Sequence, residues 1–283
     1  MISISKSYPE LVPSLKEKLS FFSKSKEEKI AILFQKSSGA FPDIPSAYIE
    51  EAKSRYLKDE RSFSKIGQEI TDFIDKMKYA EQMVNSPIAQ DVLDDSILLI
   101  GPMGTGKTTV SKKLRELTGY PIISLDDRKQ LEDFYKQRNQ FKHYKEFEFY
   151  LTSKVLTSLS EPTIIDFGAG HSIYENKIMF YEIKKLLTRF KNIELLLPSQ
   201  NLDESIEVLR ERIKPRKNAK APSYFEANIR LIKSPCNDEI ATDVYYTKDK
   251  NPDEIATDST SKQEKEQKND LETPLNRFLF RKK

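Results

Sequence analysis

Tryptophan is absent from this 283-residue chain, cysteine occurs once and histidine twice. The single thiol, Cys236, excludes an internal disulfide framework and a multi-cysteine zinc site, and with no histidine placed to activate it, it is not read as a nucleophile. His143 and His171 are too few for a histidine-rich metal centre. Neither sign of charge is in excess: 47 Lys+Arg against 44 Asp+Glu leave +3. That balance does not suit a dedicated nucleic-acid binder, so no specific nucleic acid is expected as a partner. No run approaches the ~18–20 apolar residues of a membrane span. The opening MISISKSYPELVPSLKEK lacks a basic stretch followed by an apolar core. These absences together predict a cytoplasmic protein of a reducing compartment with no membrane association.

What is present is a heavily charged but folded chain, with 32% charged residues and 10% aromatics, long enough for two modest domains. Residues 1–92 read as a helical domain. Lys26–Gln35, Ala47–Leu57 and Phe63–Met83 repeat apolar side chains at three- and four-residue spacings, among them Ile66, Ile70, Phe73, Ile74 and Met77. Turn material separates them at Ser37, Ser38, Gly39, Pro42 and Pro45. With no Gly-rich loop and no ligand cluster, this domain reads as a packing or interaction module.

The pattern changes near residue 93. The short apolar runs SILLI (96–100), PIIS (121–124), TIID (163–166), IELLL (193–197) and DVYYT (243–247) read as buried strands. They alternate with helical patterns over Thr108–Leu117, Asp127–Leu159, Ser172–Phe190 and Leu202–Ile213. Such alternation predicts an α/β domain over 93–258, a parallel five-stranded sheet with helices on both faces. From Ser259 to the end at 283 the chain is polar and reads as a disordered tail. Its last residues carry Leu275, Phe278, Leu279 and Phe280 beside basic residues, a docking element or a frayed terminus.

The sharpest motif is Gly101-Pro102-Met103-Gly104-Thr105-Gly106-Lys107-Thr108, which fits the Walker A pattern G-x-x-x-x-G-K-[ST]. It follows an apolar run and opens the helical pattern TTVSKKLREL, the strand–loop–helix setting a phosphate loop requires. Backbone N–H groups from Gly101 to Thr109 would converge on phosphate oxygens, with the positive end of the following helix aimed at the same anion. Lys107 would bridge the β- and γ-phosphates of ATP, and the Thr108 hydroxyl would ligate Mg²⁺. The acid that helps hold Mg²⁺ should close another buried strand, and Asp166 stands there; a turn cap beside Gly168 is the competing role for it. Asp166-Phe167-Gly168 spells a protein-kinase motif, but without the catalytic-loop signature the match is accidental.

With these motifs in view, the segment from about Ser96 to Asp258 resembles the shikimate kinase family, whose phosphate loop and first helix GPMGTGKTTVSKKLREL approaches. The resemblance implies that Asp126, in PIISLDD, orients or deprotonates the acceptor hydroxyl. It places Gly168, Ala169 and Gly170 where the family has a glycine turn against the substrate. Arg212, in LDESIEVLRERI, falls near the family's adenine-side arginine, and a lid arginine, Arg216 or Arg212, would close over the transferring phosphate. The departures matter. Ser124 replaces a magnesium-linked Asp, and Lys145 and Lys233 stand where arginines grip the substrate carboxylate. Lysine offers a point charge rather than a planar fork.

The resemblance therefore implies an ATP- and Mg²⁺-dependent phosphotransferase with a small hydroxylated, anionic acceptor that need not be shikimate. Asp126 has a bland alternative as the N-cap of the helix beginning DRKQ. Lys145 lies in YKEFEFYL, which also reads as an amphipathic helix. His171 reads as an exposed turn histidine, with substrate contact the alternative. Two other functions stay open. One is a nucleotide-binding interaction protein whose N-terminal helices meet a protein partner. The other is a toxin-like P-loop kinase acting on a macromolecule or a nucleotide-sugar.

Overall fold

The computed structural model describes residues 20–38, 46–71, 88–141, 143–215 and 222–272. The chain divides into two compact units. One comprises Met1–Ser86 with Glu175–Lys185, the other Pro87–Tyr174 with Leu186–Lys283. The boundary thus falls before residue 93, and the short segment 175–185 groups with the first unit.

In the first unit, α1 (Lys26–Ser38) and α2 (Ser46–Lys58) are joined by a further helical stretch over 63–71. Ile30, Leu33 and Phe34 of α1 form a core with Phe21, Ala52, Phe63, Ile66 and Ile70, the residues whose three- and four-residue spacing marks one face of each helix. Met179 and Tyr181 pack on the same cluster. The remainder of the expected 63–83 helix, including Phe73, Ile74 and Met77, lies outside the described residues, as does the 275–280 apolar cluster.

The second unit opens with α3 (Gln90–Asp95) and continues with β1 (Ile97–Ile100), α4 (Lys107–Thr118), β2 (Ile122–Ser124), α5 (Glu132–Tyr135) and α6 (Tyr144–Thr157). After β3 (Ile164–Asp166) the chain passes through α7 (Lys177–Leu187), whose residues up to Lys185 belong to the first unit; the second unit resumes with β4 (Asn192–Leu197), α8 (Leu202–Ile213), α9 (Pro222–Lys233), α10 (Cys236–Ile240), β5 (Asp243–Tyr246) and α11 (Pro252–Glu272). The five strands form one sheet, in the order β2-β3-β1-β4-β5, and every neighbouring pair is parallel. All four residues of β1 are fully buried, as a central strand covered on both faces must be. On one face Ile97, Leu99, Ile164 and Leu196 pack with Val110 and Leu114 of α4 and Ile255 and Ala256 of α11.

The expected sheet is present, with three corrections. PIIS and DVYYT are the edge strands β2 and β5, and their residues are only partly covered. The long helix expected over 127–159 is broken into α5, a 3₁₀ turn at Arg138–Gln140 and α6. The break folds Phe134, Phe141, Phe147 and Tyr150 into mutual ring contacts that one straight helix would spread apart. The polar run from Ser259 is helical as far as Glu272. Ser259 is buried and donates to Glu194 of β4, and Lys262 pairs with Asp243 of β5. Polar contacts hold this helix where apolar periodicity is too sparse to announce it.

The connections place the site. From β1 the chain crosses to the β2 edge and returns to β3; from β3 it crosses to β4 on the other side of β1. The carboxyl ends of β1 and β3 therefore meet where the winding direction reverses, the position at which parallel α/β sheets form a ligand crevice. Register sets Leu99 of β1, Asp166 of β3 and Ser124 of β2 abreast there.

Candidate active site

The segment 101–106 links β1 to α4 with three glycines in the left-handed half of backbone space, Gly101 at φ 133°, Gly104 at 90° and Gly106 at 96°. At Gly101 a Cβ would also sit 2.5 Å from the Leu196 carbonyl oxygen, so no other residue fits that bend. Thr105 braces the loop from within by donating to Pro102 O at 3.1 Å. The buried Asn228 of α9 clasps Met103 from outside. Its side-chain oxygen accepts from Met103 N at 2.8 Å and its amide donates to Met103 O at 3.1 Å. This brace gave no signal in the sequence, since 125 residues separate the partners.

Lys107 is buried and its ammonium folds back onto the loop, donating to Gly101 O at 2.8 Å and Pro102 O at 3.1 Å. The Thr108 hydroxyl donates to Asp166 Oδ2 at 2.7 Å. Asp166 is thus joined to the first turn of α4 and not to a turn cap. Burial raises its pKa above the ordinary carboxylate value, an effect opposed by the Thr108 hydroxyl and the Lys107 charge. Thr109, exposed, donates its N–H to Gly106 O at 2.8 Å. Arg212 of α8 lies against the loop, its Cβ 3.7 Å from the position a Cβ would take on Gly104. Its guanidinium donates to the Thr247 hydroxyl at 2.9 Å and the Thr247 carbonyl at 2.7 Å. Arg216 lies outside the described residues.

The donor set fits a nucleotide with Mg²⁺. One hydroxyl and one carboxylate, already in contact, match the few protein ligands Mg²⁺ takes while phosphates and water fill the rest of its octahedron. Among the described residues there is no group of three or more His, Cys, Asp or Glu side chains that could hold a metal ion by itself.

Across the crevice, Leu125 is clamped on both sides. Its N–H donates to Asp166 O at 3.0 Å and its carbonyl accepts from the Tyr135 hydroxyl at 2.9 Å. That fixes the backbone of Asp126, whose side chain remains 68% exposed. The expected helix at DRKQ is a turn, and its side-chain brace is the neighbour: Asp127 accepts from Lys129 N at 2.9 Å and Gln130 N at 3.1 Å. Asp126 is left to face the 168–170 turn. A Cβ on Gly168 would lie 2.6 Å from Asp126 Cγ and closer still to its Oδ1 and to His171 Nδ1. Lys145 of α6 reaches the same turn, donating to Gly170 O at 2.7 Å and pairing with the buried Glu148 at 2.5 Å. Ala169 is buried between these contacts.

Two expectations change here. Lys233 is exposed at the last residue of α9, and no contact among the described residues joins it to the turn or to Lys145. His171 is buried, at 1% exposure, because its N–H donates to Gly168 O at 2.9 Å and the turn folds the ring inward. Glu148 was not singled out from the sequence, although its three-residue spacing from Lys145 on a helix puts the two charges on one face.

No protein-family model matches the chain. Among curated proteins it is similar to the ATPase subunit HslU of the ATP-dependent protease from Bartonella tribocorum and from Bartonella henselae. Each is 32% identical over 62 residues, 22% of this chain. The match spans 14% of the length of these relatives. Among solved structures, shikimate kinase from Acinetobacter baumannii in complex with shikimate is 16% identical. It covers 63% of this chain and 93% of its own, at a TM-score of 0.45. A gluconokinase from Sinorhizobium meliloti 1021 is 19% identical, covering 62% and 95% at 0.43. Shikimate kinase from Bacteroides thetaiotaomicron is 19% identical, covering 59% and 96% at 0.42.

Proposed function

We propose that this chain is an ATP- and Mg²⁺-dependent phosphotransferase that moves the γ-phosphoryl group of ATP to a hydroxyl of a small, anionic acceptor. The observation that carries the reading is the convergence of two half-sites at one end of the sheet. A phosphate loop with its Thr108–Asp166 pair closes β1 and β3, and an exposed carboxylate, Asp126, faces the glycine turn that follows β3. The partial match to subunits named as ATPases supports ATP as the nucleotide.

When bound, ATP supplies the phosphoryl group and Mg²⁺ the countercharge. The chain's own part is positioning and electrostatics. The loop N–H groups and the Lys107 ammonium hold phosphate oxygens, and Lys107 leaves its two loop carbonyls to do so. Thr108 and Asp166 would hold the metal. Asp126 takes the proton from the acceptor hydroxyl as that oxygen bonds to phosphorus and the bond to the β-phosphate oxygen breaks, releasing ADP. Lys145, with the Gly168–Ala169–Gly170 turn, receives the acceptor's anionic group. Arg212 borders the nucleotide, and Arg216 closes on the transferring group, where charge develops. We set the reaction in the cytoplasm.

The test is ADP release by the purified chain with Mg·ATP and a panel of hydroxy acids. Asp126→Asn should lower kcat far more than ATP affinity, as expected of a group acting in the transition state. Equal losses in both would mark a structural carboxylate instead. A second reading, a nucleotide-dependent interaction protein, is favoured by one observation: a separate helical unit with its own core stands before the phosphate-loop unit. In that reading the helices meet a protein partner, ATP binds, and no acceptor accelerates its consumption. Turnover seen only with a macromolecule or a nucleotide-sugar would move the acceptor to that class.

A further inference from the structure

Buried polar atoms without a partner are rare in folded proteins, and His171 carries two of them. Both ring nitrogens lack a hydrogen bond while the residue is almost wholly enclosed. Among the described residues, the carboxylate oxygen that an ion-pair contact places near the ring is Asp126 Oδ1, 3.9 Å from Nδ1. That is about 1 Å beyond hydrogen-bond reach. Gly168 makes the approach possible, since a Cβ there would collide with the imidazole and the carboxylate together. The two partners differ in freedom. His171 is enclosed and tied through its own backbone to Gly168, whereas the Asp126 side chain is exposed and rotates at little cost.

We propose that His171 is the positioning residue of Asp126, its Nδ1–H donating to Oδ1 once the carboxylate turns toward the ring, so that Oδ2 faces the acceptor hydroxyl. The proposal rests on the reading of Asp126 as the proton acceptor. A carboxylate beside Nδ1 selects the tautomer with the proton on that nitrogen, since a lone pair there would face negative charge. Enclosure rules out direct contact of the ring with an acceptor, so the histidine acts through the aspartate. The charged groups facing the ring are Asp126, Glu148 and Lys145. Burial lowers its pKa below the ordinary histidine value and Lys145 adds to that, while Glu148, Asp126 and the Gly168 backbone oppose it. The ring therefore stays neutral in the neutral pH range, with one nitrogen to donate and one to accept.

The chain has only two histidines, so ¹⁵N spectra of the full-length protein resolve His171 once His143→Gln assigns the other. The expected result is an Nδ1–H tautomer for His171 from pH 7 to pH 9. Asp126→Ala should then shift both of its nitrogen resonances. His171→Phe keeps the shape of the ring and removes the unpaired polar atoms, so it should fold with an undiminished melting temperature. With Mg·ATP and shikimate or D-gluconate as acceptor probes, its kcat should fall about 10- to 100-fold at unchanged KM for ATP, the loss a 1 Å misplacement brings. His171→Asn, whose amide falls near the Nδ1 position, should recover part of that rate. An Nε2–H tautomer, or nitrogen resonances that ignore Asp126→Ala, overturns the pairing whether or not either probe is turned over, and leaves the role of Asp126 standing. Full turnover by Asp126→Ala overturns the base reading and the positioning role with it.

Discussion

Replacing Gly168 by alanine adds one methyl group to the gap where two side chains converge. The glycine does not occupy left-handed backbone space, so an alanine meets no backbone penalty and the effect is one of contact alone. The new Cβ lies 2.6 Å from Asp126 Cγ and nearer to Asp126 Oδ1 and His171 Nδ1. The imidazole is enclosed, while the carboxylate is exposed on its outer side. The carboxylate therefore yields, and it must retreat by about 1 Å to reach ordinary contact. A shift of that size at a reacting group costs about 100-fold in rate, and the crowding costs about 1–3 kcal/mol of stability. The assay is initial-rate ADP release with a saturating acceptor, with Mg·ATP affinity measured alongside by calorimetry. The expected outcome is kcat down by about two orders of magnitude with ATP affinity unchanged. Gly119→Ala is the control. That residue ends α4 at φ 77° with nothing within 4 Å of its Cβ, so the substitution should cost about 1 kcal/mol of stability and leave kcat alone. A folded Gly168→Ala protein with wild-type kcat would refute the placement of Asp126 at the reacting centre.

Other consequences are equally open to measurement. Lys107→Ala removes the ammonium that would meet the phosphates and should abolish phosphotransfer with the fold intact by circular dichroism; an active variant would remove the phosphate-loop argument. Asp166→Asn keeps a group that can accept from Thr108 but discards the charge, so the Mg²⁺ concentration for half-maximal turnover should rise roughly tenfold or more; an unchanged requirement would take Asp166 out of the metal site. Glu194 gives a stability signature. Burial pushes its pKa up to about 7 from 4.5, with Ser259 opposing, Asp243 adding and Lys262 opposing. The folded state then holds a proton that the unfolded state has released, so stability falls as pH rises from about 4.5 through 7, by up to about 3 kcal/mol. Glu194→Gln should flatten that fall in urea titrations between pH 5 and pH 8, and a slope equal to wild type would contradict it.

Much of this architecture is written locally in the chain. Each of the five runs became a strand; SILLI, TIID and IELLL are central, where four or so consecutive apolar residues bury both faces, while PIIS and DVYYT are partly covered edges. The phosphate loop was equally legible, since its glycines, lysine and threonine act through their own backbone and nearest neighbours. What escaped depends on distant partners. Asp126 and Asp127 are equivalent as letters, and only the turn bonds from Lys129 and Gln130 to Asp127 separate their roles. His171 between Gly170 and Ser172 has the look of a surface turn, and its burial comes from the fold of that turn against α6. Ser259 sits in a nearly apolar-free run, and its helix is held by Ile255, Ala256 and two polar contacts with β4 and β5. Asn228 braces the phosphate loop from a helix more than a hundred residues away.

The central claim is a phosphate loop and an acceptor carboxylate working as one site, and ADP release by the full-length chain tests it most directly. The measurement takes Mg·ATP alone and then with hydroxy acids including shikimate, on wild type and Asp126→Asn side by side. The account predicts slow release without acceptor, stimulation by at least one hydroxylated anion, and loss of that stimulation in the variant at unchanged ATP affinity. Tight ATP binding with no acceptor-dependent release from any member of the panel would contradict it.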